Sequence, residues 1–239
     1  MTDRFGGVSL GAHATFNLGA GVNDSADAVA QNRAVLAEQF AVAPSALRFM
    51  KQEHGTRTRV LGGSRAGSTP ACDAIITSDP TLALAVLVAD CTPVLLLDRS
   101  AGWVGAVHAG RAGMNAGVVA HAVEALRERG ATDLQAVVGP SICARCYEVP
   151  AAMRAQAAVQ HPSAYAVSWS GSPAIDVAGA VVEQLHTQRI PVRWLPGCTR
   201  ELPELYSHRG DPHTGRFAAV VRLRVGVETG QRTTKPERQ

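Results

Sequence analysis

An α/β (α+β) domain of mixed β-sheets flanked by helices is the architecture this chain predicts. Three observations lead there. The chain has 239 residues, 46% hydrophobic and 18% charged, enough to bury a substantial core without disulfide or metal staples. Short apolar runs recur through its middle, each bounded by Gly, Pro, Asp or Ser. Several of these runs stand too close together for helical crossovers, which argues against a doubly wound parallel sheet.

The elements follow in order. Residues 3–17 mix Gly, Ser and short apolar pairs and read as turn and strand. Residues 24–40 read as a helix: Asp24 or Ser25 can cap it, and Val29, Leu36 and Phe40 recur at helical spacing. Strands follow at 47–50, 58–61, 74–77, 83–88, 94–97 and 103–107, several apolar on both faces and hence buried. A helix over 114–129 ends at Gly130, with Arg127 and Arg129 near its negative C-terminal end. Strands at 134–138, 192–195 and 217–223 and helices at 150–160 and 176–188 complete the list. No repeat or Ser/Gly linker divides the chain, so one domain over 1–229 is expected, with a disordered polar tail over 230–239.

Charge and cysteine usage narrow the classes. The formal net charge is +3, and only Lys51 and Lys235 among the basic residues are lysines. So slight and scattered an excess does not support a nucleic-acid partner. The longest unbroken apolar run, 82–89, is strand-sized, so no membrane span is expected. Five cysteines are an odd number, and no basic-then-apolar signal opens the chain. A disulfide framework is therefore not expected, and a reducing cytoplasm is the expected location.

Three side chains stand where an apolar strand gives way to Gly, Pro or polar residues. His54 lies in Lys51-Gln52-Glu53-His54-Gly55, Cys91 in Ala89-Asp90-Cys91-Thr92-Pro93, and His108 in Val107-His108-Ala109-Gly110. Two chemistries fit them. One is a nucleophile pair in which His108 deprotonates the Cys91 thiol. The other is a zinc site with one thiolate and two imidazoles, leaving a fourth position for water or substrate. Gaps of 37 and 17 residues do not choose between them.

Other groups are less telling. Cys143-Ala144-Arg145-Cys146 is a CxxC, yet no second CxxC or nearby HxxxH completes a metal site. Cys72 and Cys198 read as structural. Arg209 and Arg216 flank a Gly-containing loop and could grip a phosphate between them. Gly110 and Gly113 precede a helix whose N-terminal amides could meet an anion.

Taken together, the ordered motifs resemble those of the YfiH-like, laccase-domain (multicopper polyphenol oxidase) proteins. Bacterial members of that family are also named purine nucleoside phosphorylases or peptidoglycan editing factors. The matching segments run from Asn17-Leu18-Gly19 and Asn32-Arg33 through the three strand ends above and Cys72-Asp73-Ala74. They continue to Gly139-Pro140-Ser141-Ile142, Cys146-Tyr147-Glu148-Val149 and Ser207-His208-Arg209 with Thr214-Gly215-Arg216. They span positions 17–216. Two departures stand out. Arg111-Ala112-Gly113 replaces a Trp-Arg pair, and Arg145 stands in place of the first of two adjacent cysteines.

The resemblance implies a four-layer α/β/β/α sandwich and a zinc ion held by His54, Cys91 and His108, where copper can also bind. It implies phosphorolysis of adenosine, inosine, guanosine and methylthioadenosine to free base and ribose 1-phosphate (methylthioribose 1-phosphate from the last), and deamination of adenosine. Purine nucleosides and phosphate are then the partners, for a monomer or small homo-oligomer. Asp90, Cys91 and His108 are the expected catalytic residues, Asp90 by orienting a histidine or moving a proton. Arg209, then Lys51 and Arg111, are expected to bind phosphate or substrate. Alternatives are a peptidoglycan-precursor editing factor, a Cys–His hydrolase, and polyphenol oxidation with copper. Against the last, the eight histidines include no two separated by one residue, too sparse a set for a trinuclear copper cluster plus a blue-copper site.

Overall fold

Ser25 opens the first helix, α1 (Ala26–Gln39), its hydroxyl accepting the Ala28 N–H. The computed structural model describes residues 1–62 and 68–224; the tail expected over 230–239 lies outside them. After α1 come β1 (Leu47–Arg48), β2 (Thr58–Val60), β3 (Ala74–Thr77), β4 (Ala83–Val88), β5 (Thr92–Asp98) and β6 (Trp103–Ala109). Then follow α2 (Arg111–Asn115), α3 (Val118–Arg127), β7 (Gln135–Val138), α4 (Ala151–Gln160), β8 (Tyr165–Val167) and β9 (Pro173–Ile175). The last elements are α5 (Val177–Thr187), β10 (Val192–Trp194) and β11 (Phe217–Arg222).

Two sheets make the frame. The larger has the order β10-β7-β5-β6-β3-β2, the smaller β1-β4-β11, and β8 pairs with β9 separately. Both main sheets are mixed. β5 is antiparallel to β6 and β7, while β2 runs parallel to β3. β4 is parallel to β1 and antiparallel to β11. The chain passes from the small sheet to the large one twice, between β1 and β2 and between β4 and β5.

Alternation along buried strands stacks these sheets. On the outer face of the small sheet, Ala83, Ala85, Ala218 and Val220 meet Leu36 and Ala37 of α1 and the segment carrying Phe16 and Leu18. On its inner face Leu84, Val86, Val88 and Phe217 meet Ile75, Val104 and Ala106 of the large sheet. The far face of the large sheet, through Ile76, Val94, Leu96 and Val138, is covered by Val119, Val123 and Leu126 of α3 and Val181 and Leu185 of α5. The order is therefore helix, sheet, sheet, helix, as the resemblance implies.

Three local features differ from expectation. The helix over 114–129 is two helices, because Gly117 adopts φ +84°, a left-handed turn that ends α2 and restarts the chain as α3. Residues 3–17 contain no strand. That segment is extended around a 3-10 turn, Gly11–His13, and is tied down by buried Asn32, whose amide donates to Ser9 Oγ, Thr15 O and Asn17 O. The β8–β9 hairpin is the third. Its strands have only three residues each, and Tyr165 and Val167 face solvent, so its short apolar run, 164–167, is not a buried one.

A fully buried carboxylate, Asp98, closes the turn after β5. It accepts from the Ser100 hydroxyl and from the N–H groups of Ala101, Thr132 and Asp133 at 2.7–2.8 Å. Burial opposes its charge, but these hydrogen bonds outweigh it and hold the carboxyl at about 2.

Candidate metal centre

Each of the three strand-end side chains is delivered to one place. His54 sits in the loop leaving β1, at φ +59°. Cys91 sits in the tight turn between β4 and β5, just after Asp90 at φ +89°. His108, next to last in β6 and paired with Pro93, is buried. Strand alternation puts it on the same face as Val104 and Ala106, toward the seam between the sheets. The ligating atoms of the three lie within 4.8 Å of one another. Cys91 Sγ is 3.7 Å from His54 Nε2, and the two imidazoles meet edge to face at 4.8 Å. Gly110 makes room for them: a Cβ there would lie 2.6 Å from His54 Cδ2 and 3.1 Å from Cys91 Sγ.

Asp73 organises the group. Its Oδ1 lies 2.8 Å from His108 Nδ1, and its backbone carbonyl accepts the His108 N–H at 2.7 Å. The same carboxylate accepts the N–H groups of Glu53, His54 and Gly55. One buried side chain thus sets both the His54 loop and the orientation of the His108 ring, turning its Nε2 away from Asp73 and toward Cys91. Asp73 was visible in the sequence only as part of Cys72-Asp73-Ala74, an acid at the head of a buried strand.

The orienting role expected of Asp90 belongs to Asp73. The Asp90 Oδ1 instead accepts from Thr199 Oγ1 and Ser207 Oγ, each at 2.7 Å, and its Oδ2 accepts the Arg209 N–H at 2.6 Å. The Asp90 carboxylate therefore fastens two stretches of the β10–β11 connection beside Cys91. It was a candidate because it adjoins Cys91 in sequence, but the backbone turns its carboxylate the other way.

Electrostatics favour an ion pair. Burial alone would push the Cys91 thiol up, but hydrogen bonding and charge from His108 and His54 bring it down to about 6. Burial would likewise lower His108, but Asp73 and the Cys91 thiolate raise it to about 9. Cys72, buried beside Asp73, is pushed up to about 11 and is an inert thiol.

Two cavities meet at this group, and His54, Ala89, Cys91 and His208 line both. The larger, about 660 Å³, is walled by Phe49, Met50, Lys51, Arg33 and Arg216. Its rim is built by the Asn17 and Asn32 motifs, since Arg33 donates twice to Leu18 O and stacks at 4.0 Å over Phe49. The smaller, about 360 Å³, is lined by Arg111, Arg209, Ile142 and Tyr147. Lys51 is thus separated from Arg111 and Arg209. Arg209 and Arg216 do not pair either: they line different cavities, and Arg216 is spent on the Thr214 and Gly215 carbonyls. The helix opened by Gly110 has only five residues, and Gly110 serves close packing there rather than anion binding.

The donor set fits a zinc ion. At zinc–ligand lengths near 2.05 and 2.3 Å, a tetrahedral nitrogen and sulfur lie about 3.6 Å apart, against the 3.7 Å found between Cys91 and His54. His54 is exposed, and it and Cys91 border both cavities.

An α/β/β/α sandwich with an open two-histidine, one-cysteine site at its sheet seam defines a class of protein, and comparison identifies it. Residues 1–224 match the family model described as multi-copper polyphenol oxidoreductase laccase, and the chain belongs to that family. A Streptomyces coelicolor protein named purine nucleoside phosphorylase is 45% identical over 229 residues, covering 93% of this chain and 94% of that one. A Mycobacterium tuberculosis protein of the same name is 42% identical, covering 92% and 89%. The crystal structure of YlmD from Geobacillus stearothermophilus superposes with a TM-score of 0.87 at 30% identity, covering 94% of this chain and 90% of that one. Among the described residues, no helix is long and apolar enough to cross a membrane.

Proposed function

We propose that this chain is a zinc-dependent purine nucleoside phosphorylase that also deaminates adenosine. The observation that carries the reading is the shared wall of the two cavities. The smaller cavity offers Arg111 and Arg209, the larger offers Phe49 and Met50 beside Arg33, Lys51 and Arg216, and the His54–Cys91–His108 group stands between them. The relatives named purine nucleoside phosphorylase give the reading its substrate class.

In this scheme Arg111 and Arg209 bind and orient phosphate, while Phe49, Met50 and Arg33 enclose the nucleoside in the larger cavity. A phosphate oxygen forms a bond to C1′ of the ribose as the bond from C1′ to the purine breaks. Adenosine, inosine and guanosine give free base and ribose 1-phosphate, and methylthioadenosine gives adenine and methylthioribose 1-phosphate. His54, Cys91 and His108 hold the ion, and Asp73 fixes His108 against it. Zinc in an open three-ligand site supplies a Lewis acid and makes water acidic enough to ionise near neutral pH, the chemistry that deamination needs. Asp90 holds the Arg209 segment in place rather than moving a proton.

Metal-replete protein incubated with adenosine and phosphate, followed by chromatography, tests this. Adenine, inosine and hypoxanthine are expected, and Cys91→Ala should abolish both metal and products. Absence of every product would overturn the reading. The arrangement of a low-pKa Cys91 with His108 and Asp73 also suits a thiol hydrolase. Full activity in metal-free protein would favour that second reading.

A further inference from the structure

A second cluster of metal-ligating side chains lies outside the site described above. Cys143 and Cys146 come from the connection between β7 and α4, and Cys198 and Glu201 from the connection between β10 and β11. Their three sulfurs and a carboxylate oxygen all lie within 4.8 Å of one another. Cys146 Sγ is 3.1 Å from Glu201 Oε1, and the indole N–H of Trp169 donates to the same oxygen at 3.1 Å. The sulfurs are not bonded to one another.

We propose that Cys143, Cys146, Cys198 and Glu201 form a closed structural zinc site. Four ligand atoms around one zinc stand about 3.8 Å apart when they are sulfur, so the cluster needs little rearrangement. Four protein ligands leave no open position, unlike the set at His54. Two backbone N–H groups point at the sulfurs. The Cys143 N–H points at Cys198 Sγ from 3.4 Å, and the Arg145 N–H donates to Cys143. The ion with three thiolates and one carboxylate carries two net negative charges, and Arg200 lies beside it, donating to the Cys146 carbonyl. Without metal, burial and the neighbouring Glu201 carboxylate push the Cys146 thiol up. On binding, each thiol gives its proton to solvent and the ion takes its place; nothing is oxidised. A disulfide would use two sulfurs and leave the third and the carboxylate unexplained.

The site would act on the smaller cavity through its neighbours. Ile142, next to Cys143, donates its N–H to the Asp90 carbonyl, and Thr199, next to Cys198, donates its hydroxyl to the Asp90 carboxylate. Tyr147, next to Cys146, lies under Arg209 at 5.1 Å. One ion would join two loops 55 residues apart and hold that wall.

Elemental and native mass spectrometry of the full chain, purified anaerobically without chelator, tests this independently of any activity. Two zinc ions per chain are expected. Cys146→Ser and Cys198→Ser should each fall to one, and retention of that one reports that the variant has folded. Cys91→Ser should also fall to one, and its cobalt form should keep the strong thiolate-to-cobalt absorption of a three-sulfur site. A stoichiometry of one, lost with Cys91→Ser and kept with Cys146→Ser, would overturn the proposal. So would a disulfide joining Cys143 to Cys146 or Cys198 in the protein as isolated.

Discussion

The Asp73 carboxylate and the His108 imidazole, both buried, share a hydrogen bond of 2.8 Å, and the same two residues are joined again through their backbones at 2.7 Å. This double link makes Asp73 the residue on which the ligand geometry depends. Asp73→Asn retains the shape but loses the charge and one acceptor. Outer partners of metal-bound histidines typically matter by 10- to 100-fold, so zinc affinity should fall by about that much. Competition against a chromogenic chelator measures it. An unchanged affinity would reduce Asp73 to a fold residue.

Gly110 is a spatial rather than a conformational requirement, since its φ of −75° suits any residue. Gly110→Ala should therefore fold normally, by circular dichroism and thermal melting, while its methyl group displaces His54 and Cys91. The expected result is a native fold that retains less than one equivalent of metal at this site.

In metal-free protein Cys91 should be alkylated as a thiolate well below the range of a free cysteine, near 8.5. Its rate with iodoacetamide should rise as pH passes through about 6. The sign follows from its partners: His108 and His54 favour the charged form, so removing one raises the inflection. His108→Asn should move it upward, and zinc should suppress the reaction at every pH.

Asp98 governs acid stability elsewhere in the fold. Its native value lies below the ordinary carboxylate value, so its contribution is complete above about 4 and is lost as pH falls through about 2. Asp98→Asn should cost about 2 kcal/mol at neutral pH and flatten the acid limb of a urea-unfolding series. A parallel acid limb in the variant would assign that loss to other carboxylates.

Binding of phosphate should divide along the two cavities. Arg209→Ala should raise the phosphate KM with little effect on zinc content, whereas Lys51→Ala, bordering the other cavity, should change the nucleoside KM instead. Equal effects on both substrates from either variant would refute the division.

What could be read from the chain beforehand follows its physics. Strands such as β4 and β6 were legible because nearly every residue is buried and the strands are rich in apolar side chains. His54, Cys91 and His108 were legible because strand ends expose functional side chains at a seam. Asp73 was not, because its role lies in partners 18–35 residues away. Cys198 and Glu201 were hidden for the same reason: the loop that completes the CxxC comes from 55 residues downstream. The split at Gly117 was missed because helical spacing of apolar residues continues across a single left-handed turn.

The route of the chain between its layers carries one more consequence. His54 and Cys91 lie on the two crossings from the small sheet to the large one, and His108 lies inside the large sheet. An ion held by all three would be a clasp on both of these bridges, added to the hydrogen bonds that tie the His54 loop to Asp73 and Lys51 to the segment before β3. The spacing of the two sheets and the aperture of the reaction chamber become one mechanical variable, so a repacked Ile75–Phe217 interior would retune substrate fit from a distance.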